Sequence, residues 1–196
     1  AVLATVAPWL EALPATAIGI TLAAGQDMFL TLAKFRAMRL LWARLLEVNG
    51  AAPANLRLHV ETSFRMSASR DPHSNILRAT AAVFGAGLGG ADTIAVLPFS
   101  IAQGLPDRFA RRIARNVQNI LLAESNLWRV ADAASGAGYV EHLTEALCEK
   151  AWRHFQRAMD GDWPQPDSTR AEGLPVIGTS AYLPPTEYPP AIEALR

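Results

Sequence analysis

Four histidines and one cysteine are the side chains of this sequence best suited to chemistry. His59 stands in an alternating run, Leu56-Arg57-Leu58-His59-Val60-Glu61-Thr62. Alternation of apolar and polar residues predicts a strand, and Glu61, two residues on, shares the side-chain direction of His59. In a barrel, polar residues toward the C-terminal end of a strand face the mouth of the active site. The pair therefore reads either as a site, or the remnant of one, or as a structural feature of the strand. His73 falls in the first turn of a predicted helix, where a local structural role is the simpler reading. His142 and His154 fall at surface positions of another helix. No two histidines have zinc-ligand spacing with a third ligand close by, so no metal site is expected.

The other candidates read as structure. Cys148 occupies an apolar helical position with no partner for a disulfide, which predicts buried packing in a reducing compartment. Gly85-x-Gly87-x-x-Gly90 has the letters of a dinucleotide fingerprint. That motif needs a strand before it and a helix after it, whereas here a helix precedes and a strand follows, so a plain turn is expected. Arg108, Arg111, Arg112 and Arg115 give one helix a basic face. It could take phosphate or a partner's carboxylates, though a solvated face is the plainer reading. No serine lies in a nucleophile elbow, and no Walker loop is present.

The elements that would position these residues alternate. An apolar helical stretch over residues 2–13 ends at Pro14. A short apolar run at 16–22 predicts a strand. Residues 26–48 predict a long helix, with Met28, Leu32, Phe35, Trp42, Leu45 and Leu46 on its buried face and Asn49-Gly50 as its stop. After the strand at 56–62, Asp71 and Pro72 open a helix to about residue 84. A glycine-rich turn at 85–90 leads to a third strand at 93–97. Asp107 starts a helix whose predicted stripe is Phe109, Ile113, Val117, Ile120 and Leu121. A last helix covers 139–159. Strands alternating with helices predict parallel βαβ units. Three strands are too few for an eight-fold barrel of roughly 250 residues. The fold expected is α/β, either a small open layer or the C-terminal part of a (β/α)8 TIM-type barrel. Pro164, Pro166, Pro175, Pro184, Pro185, Pro189 and Pro190 mark an extended tail. The predicted division is a barrel part at 1–160 and a proline-rich tail at 161–196.

Of the 196 residues, 51% are hydrophobic and 18% charged, with zero formal net charge. A sizeable core can be buried, and a global basic field for nucleic acid is absent. No apolar run is long enough to span a membrane, so a cytoplasmic protein is expected.

Five segments in one order resemble the methylmalonyl-CoA mutase family. The run Ala33-Lys34-Phe35-Arg36-Ala37-Met38-Arg39-Leu40-Leu41-Trp42 is similar to A-K-x-R-A-x-R-x-L-W. His59-Val60-Glu61-Thr62-Ser63 resembles H-x-Q-T-S, and Asp71-Pro72-His73-Ser74-Asn75-Ile76-Leu77-Arg78 resembles D-P-x-x-N-x-x-R. Residues 112–118 with Glu124-Ser125 resemble R-I-A-R-N-x-Q…E-S. Residues 130–144 resemble V-x-D-P-x-x-G-S-x-Y-x-E-x-L-T. The tail around Ile177-Gly178-Thr179-Ser180 is similar to P-I-x-G-x-S.

The resemblance implies a (β/α)8 barrel threaded by acyl-CoA and capped by adenosylcobalamin, whose radical isomerises the carbon skeleton. It implies a heterodimer of a catalytic large subunit and a related small one. The departures favour the small, non-catalytic subunit. Where the family has R-x-S-x-F, this chain has Ala17, Gly19 and Thr21. Glu61 replaces a glutamine, and Phe64 a glycine. Where the family has Q-S-L-H-T-N, this chain runs Asp92-Thr93-Ile94-Ala95-Val96-Leu97, and a bulky apolar barrel lining is expected. The cobalt-ligand motif D-x-H-x-x-G is absent. No catalytic residue is assigned; His59, Glu61, Thr62 and Asp92 are the expected remnant of the pocket. The cofactor is expected on the complex rather than on this chain. The alternative is a fragment of a catalytic acyl-CoA mutase with a different acyl-CoA substrate.

Overall fold

The computed structural model describes residues 1–163, Ala181 and Ile192. Nearly all of the expected tail lies outside the described residues. Three strands, β1 (Gly19–Ala24), β2 (Arg57–Thr62) and β3 (Thr93–Ala95), form one parallel sheet in the order β1-β2-β3. Among the described residues five α-helices accompany it: α1 (Val2–Val6), α2 (Met28–Val48), α3 (Ser74–Leu88), α4 (Arg108–Ala123) and α5 (Gly138–Met159). The mixed α/β order with a parallel sheet agrees with the sequence reading at that level.

The α2 helix starts where the Asp27 carboxylate accepts from the Leu30 amide at 2.9 Å. It stops at Gly50, whose φ of 63° is a conformation glycine adopts without penalty. Its buried face, including Phe35, Trp42 and Leu45, meets Ile20 and Ala24 of β1 and Leu58 and Val60 of β2 in the main core. The α5 helix packs on the far side of α2. The sheet thus has one helix-covered face and one face that no described residue covers.

Four local readings change. The first helical stretch gives way after Val6 to a 3-10 segment, Ala7–Glu11, with Pro8 near its start. β1 begins at Gly19, because residues from Ala15 to Ala17 form a 3-10 turn after Pro14. The glycines at 85 and 87 are helical, because α3 continues to Leu88. A Cβ at Gly85 would sit 2.8 Å from the carbonyl oxygen of Met28, and one at Gly89 would sit 2.9 Å from that of Leu32. These glycines are where α3 crosses α2 backbone to backbone, which outweighs their poor helix propensity. The predicted stripe of α4 also divides. Ala110, Ala114, Val117 and Leu121 turn inward, while Phe109 and Ile120 stay 46% and 47% exposed. Spacing locates a periodic face but does not say which of two adjacent apolar rows meets the core.

Candidate functional site

Alternation along the strands divides their residues between the faces. Toward the helices point Ile20, Leu22, Ala24, Leu58, Val60, Thr62 and Ile94; the bulky aliphatics are all in this set. On the open face stand Gly19, Thr21 and Ala23 of β1, Arg57, His59 and Glu61 of β2, and Thr93 and Ala95 of β3. The expected bulky apolar lining is therefore corrected: these three strands present small or polar residues on their open side. Pleat geometry, not average composition, decides which residues line it.

The register sets Thr21, His59 and Thr93 in one row, and Ala23, Glu61 and Ala95 in the next. His59 Nδ1 and Thr93 Oγ1 are 2.6 Å apart, which fixes the ring and leaves Nε2 as its other polar atom. A depression of about 380 Å³ opens here, lined in part by Gly19, Thr21, Arg57, His59 and Thr93. His59 and Asp92 both line it, whereas Glu61, on the same strand face one row on, does not. Thr62 points the opposite way, 1% exposed, and its hydroxyl accepts from the Leu97 amide at 2.8 Å. Asp92 lies at the N-terminal end of β3, where its carboxylate accepts from the Leu58 amide at 2.7 Å and from Arg39 at 3.2 Å. In this arrangement Thr62 and Asp92 join neighbouring strands.

A second polar cluster ties the loops at the C-terminal ends of β2 and β3. Asn75 accepts from the Ala68 amide at 2.9 Å and donates to the carbonyls of Ala68 and Phe99, each at 2.8 Å. Arg78, one helical turn on, donates to Asn75 at 2.8 Å while only 8% exposed. Ser100 is fully buried nearby in sequence, and His73 stacks on Phe99 at 5.1 Å. Asn75 and Arg78 belong to the D-P-x-x-N-x-x-R segment, whereas Thr93 and Ser100 carry no mark of their roles in the local sequence. The three-residue spacing of Asn75 and Arg78 is the signal for that pair; the pairing of Thr93 with His59 depends on strand register, which the local sequence does not show.

Of the basic row on α4, Arg111 donates to the Pro106 carbonyl at 2.7 Å and Arg112 lies over the Phe109 ring at 5.3 Å. Cys148 is half-buried against α2, with Sγ 3.8 Å from the Ala37 carbonyl. Burial, then the charge of Glu145, pushes its thiol pKa up, away from the thiolate form. Among the described residues no His, Cys, Asp and Glu cluster could hold a metal.

The family model for methylmalonyl-CoA mutase matches residues 15–161. The chain belongs to the methylmalonyl-CoA mutase family. It is 54% identical over 141 residues to the methylmalonyl-CoA mutase small subunit of Streptomyces virginiae, covering 71% of this chain and 23% of that protein. It is 46% identical over 142 residues to the small subunit of Propionibacterium freudenreichii subsp. shermanii, covering 71% and 22%. Against the methylmalonyl-CoA mutase of Rhizobium meliloti the identity is 41% over 133 residues, covering 66% and 19%. The chain spans about a quarter of the length of the curated relatives it matches.

In this mutase-family chain the helix motif works as a set of clamps. Arg36 donates to Glu141 at 2.8 Å and to the Ala134 carbonyl at 3.3 Å, and also pairs with Asp132 at 3.3 Å. It thereby holds the segment before α5 against α2. The Gly136 amide, then the Arg36 guanidinium, pulls the Glu141 pKa down. This contribution is present above the ordinary carboxylate range and is lost as pH falls through the lowered value. Trp42 Nε1 donates to the Ala54 carbonyl at 3.0 Å. Arg39 donates to the carbonyls of Gly90 and Leu56, the latter at 3.1 Å, bridging the turns that lead into β3 and β2. Arg39→Met keeps the packing stem and removes these bonds. A loss of about 2 kcal/mol is expected in urea unfolding, from carbonyls left short of a charged donor. An unchanged midpoint would show that water replaces the guanidinium.

Proposed function

We propose that this chain is the C-terminal part of the (β/α)8 barrel of a methylmalonyl-CoA mutase small subunit. On this reading it serves a cytoplasmic heterodimer that interconverts methylmalonyl-CoA and succinyl-CoA, and its own role is structural. The related large subunit carries the catalysis. One observation carries the reading. Gly19 and Thr21 stand on the open face, and Ala17 lies in the turn that feeds it. These are the positions where the resemblance puts the arginine, serine and phenylalanine of the acyl-CoA site. Side chains at these positions would project into the barrel, and Ala17 and Gly19 carry neither a guanidinium nor a serine hydroxyl. The identities of 46–54% to two proteins named small subunits support the same reading.

Adenosylcobalamin, bound to the complex, would supply the radical that moves the carbon skeleton. The histidines described here do not fit the role of a cobalt ligand. The cobalt-ligand motif D-x-H-x-x-G is absent around all four: His59 pairs with Thr93 at mid-sheet, His73 lies face-on to Phe99, and His142 and the half-buried His154 lie on α5. No step of the radical chemistry is assigned to this chain. What its residues do is hold backbone: Arg36, Arg39, Asn75 and Asp92 each bind groups from another element.

The test is turnover. The full-length polypeptide carrying this sequence, purified alone and given adenosylcobalamin and methylmalonyl-CoA, is expected to form no succinyl-CoA. Addition of the large subunit is expected to restore formation. Turnover by the lone polypeptide would overturn the structural role. It would favour the second reading, a catalytic mutase with another acyl-CoA substrate, which the His59–Thr93 pair on the open face supports.

A further inference from the structure

The chain leaves α5 at one end of the sheet and meets the body again at the other. α5 starts beside the start of α2, where Tyr139 meets Phe29 at 5.5 Å and Arg36 donates to Glu141. α2 follows directly on β1, so this is the end at which the strands finish. The last turns of α5 bring Phe155 and Ala158 into the core with Leu3 and Ala4 of α1, which precedes β1. Trp163 therefore lies toward the end at which the strands begin. Ile192 lies at the opposite end, where it forms an antiparallel bridge with Pro106 in the loop between β3 and α4. Its Cδ1 and Cγ2 lie 3.6 and 3.7 Å from where a Cβ on Gly104 would stand.

We infer that the loop between β3 and α4 is the seat of this chain's own C-terminal segment, and that Ile192 is the anchor that straps the segment to the end of the sheet where the strands finish. The seat takes an apolar side chain laid on backbone. Gly104 has a φ of 145°, a conformation that suits glycine, and puts no side chain between its backbone and Ile192. Pro106, the bridge partner, is buried. The loop is already held from beneath. Asn75 donates to the Phe99 carbonyl at 2.8 Å, Gln103 to the Ser69 carbonyl at 3.1 Å, and Arg111 to the Pro106 carbonyl at 2.7 Å. The sequence around the anchor suits its role. Ile192 is β-branched, which favours extended backbone, and Pro189 and Pro190 precede it. Proline restricts the unseated chain, so less entropy is lost when the anchor docks. The chain after α5 is long enough. An extended segment covers roughly 3.3 Å per residue, against a rise of roughly 1.5 Å per residue along the 22 residues of α5.

Hydrogen exchange, read by mass spectrometry on the full-length polypeptide, tests the anchor. Ile192→Asp is expected to speed exchange about tenfold in peptides covering residues 98–107 and in the peptide containing position 192, while α2 exchanges as in wild type. Ile192→Val, which keeps the branched apolar side chain, is expected to retain wild-type protection in both. Unchanged exchange at 98–107 in the Ile192→Asp protein would overturn the seat. So would wild-type protection of 98–107 that falls on dilution, because the seated segment would then come from a second copy of the chain. Turnover by the lone polypeptide is a separate readout: it would remove the structural role and leave these exchange rates standing.

Discussion

Asn75→Leu is expected to lower the stability of the full-length polypeptide by about 4 kcal/mol in urea unfolding. The side chain is 4% exposed and nearly isosteric with leucine, so the loss comes from polar groups rather than from volume. Removing the amide strands the N–H and carbonyl of Ala68 and the carbonyl of Phe99. Each buried group left unsatisfied costs roughly 1–3 kcal/mol, and partial access to water at the rim lowers the sum. The loops after β2 and β3 are both bonded by this side chain, with Gln103 donating to the Ser69 carbonyl at 3.1 Å as a second tie. Faster proteolysis is therefore expected within residues 63–73 and 96–107 while the helical core still resists. A loss under about 1 kcal/mol with unchanged proteolysis would show that the loops are held by other contacts.

Gly85→Val is expected to cost as much or more. A Cβ at this position would meet the Met28 carbonyl at 2.8 Å and the Met28 Cα at 3.3 Å. Both are helix backbone atoms, which cannot rotate away as the tip of a side chain can. The whole α2–α3 contact must open, and overpacking of this kind typically costs about 1–3 kcal/mol and occasionally more. The branched Cγ atoms add to the clash, so about 4 kcal/mol is the expected loss. Gly85→Ala separates the two terms. It gains about 1 kcal/mol of helix propensity and still meets the carbonyl, so it is expected to fall between valine and wild type. An alanine variant more stable than wild type would show that the helices part without penalty. Gly87 is the control on the same helix, because its Cβ would find only the Leu127 side chain at 3.5 Å.

These two positions also show what a linear reading of the chain can and cannot reach. The periodicity of α2 was legible because one row of large apolar residues faces the sheet along its whole length. The glycines at 85 and 87 predict a turn, since low helix propensity is a local property. The close approach of Met28 and Leu32 that requires small residues is not visible in the local sequence. The shared direction of His59 and Glu61 followed from the two-residue period of a strand. That Thr93 would meet His59 depended on register, which hydrogen bonds between distant segments decide.

The sequence by itself determined the family, through five ordered segments between Ala33 and Thr144, and the parallel α/β order, through its alternation of strand and helix patterns. The same letters described the side chains at 92–97 as mostly apolar and so suggested an apolar lining. Only the tertiary structure decided where those side chains go. Ile94 and Val96 pack against the helices, and the open face keeps Thr21, His59, Glu61 and Thr93. The physical reason is that a strand divides its residues between two faces, and the face that becomes core is chosen by the partners it packs against.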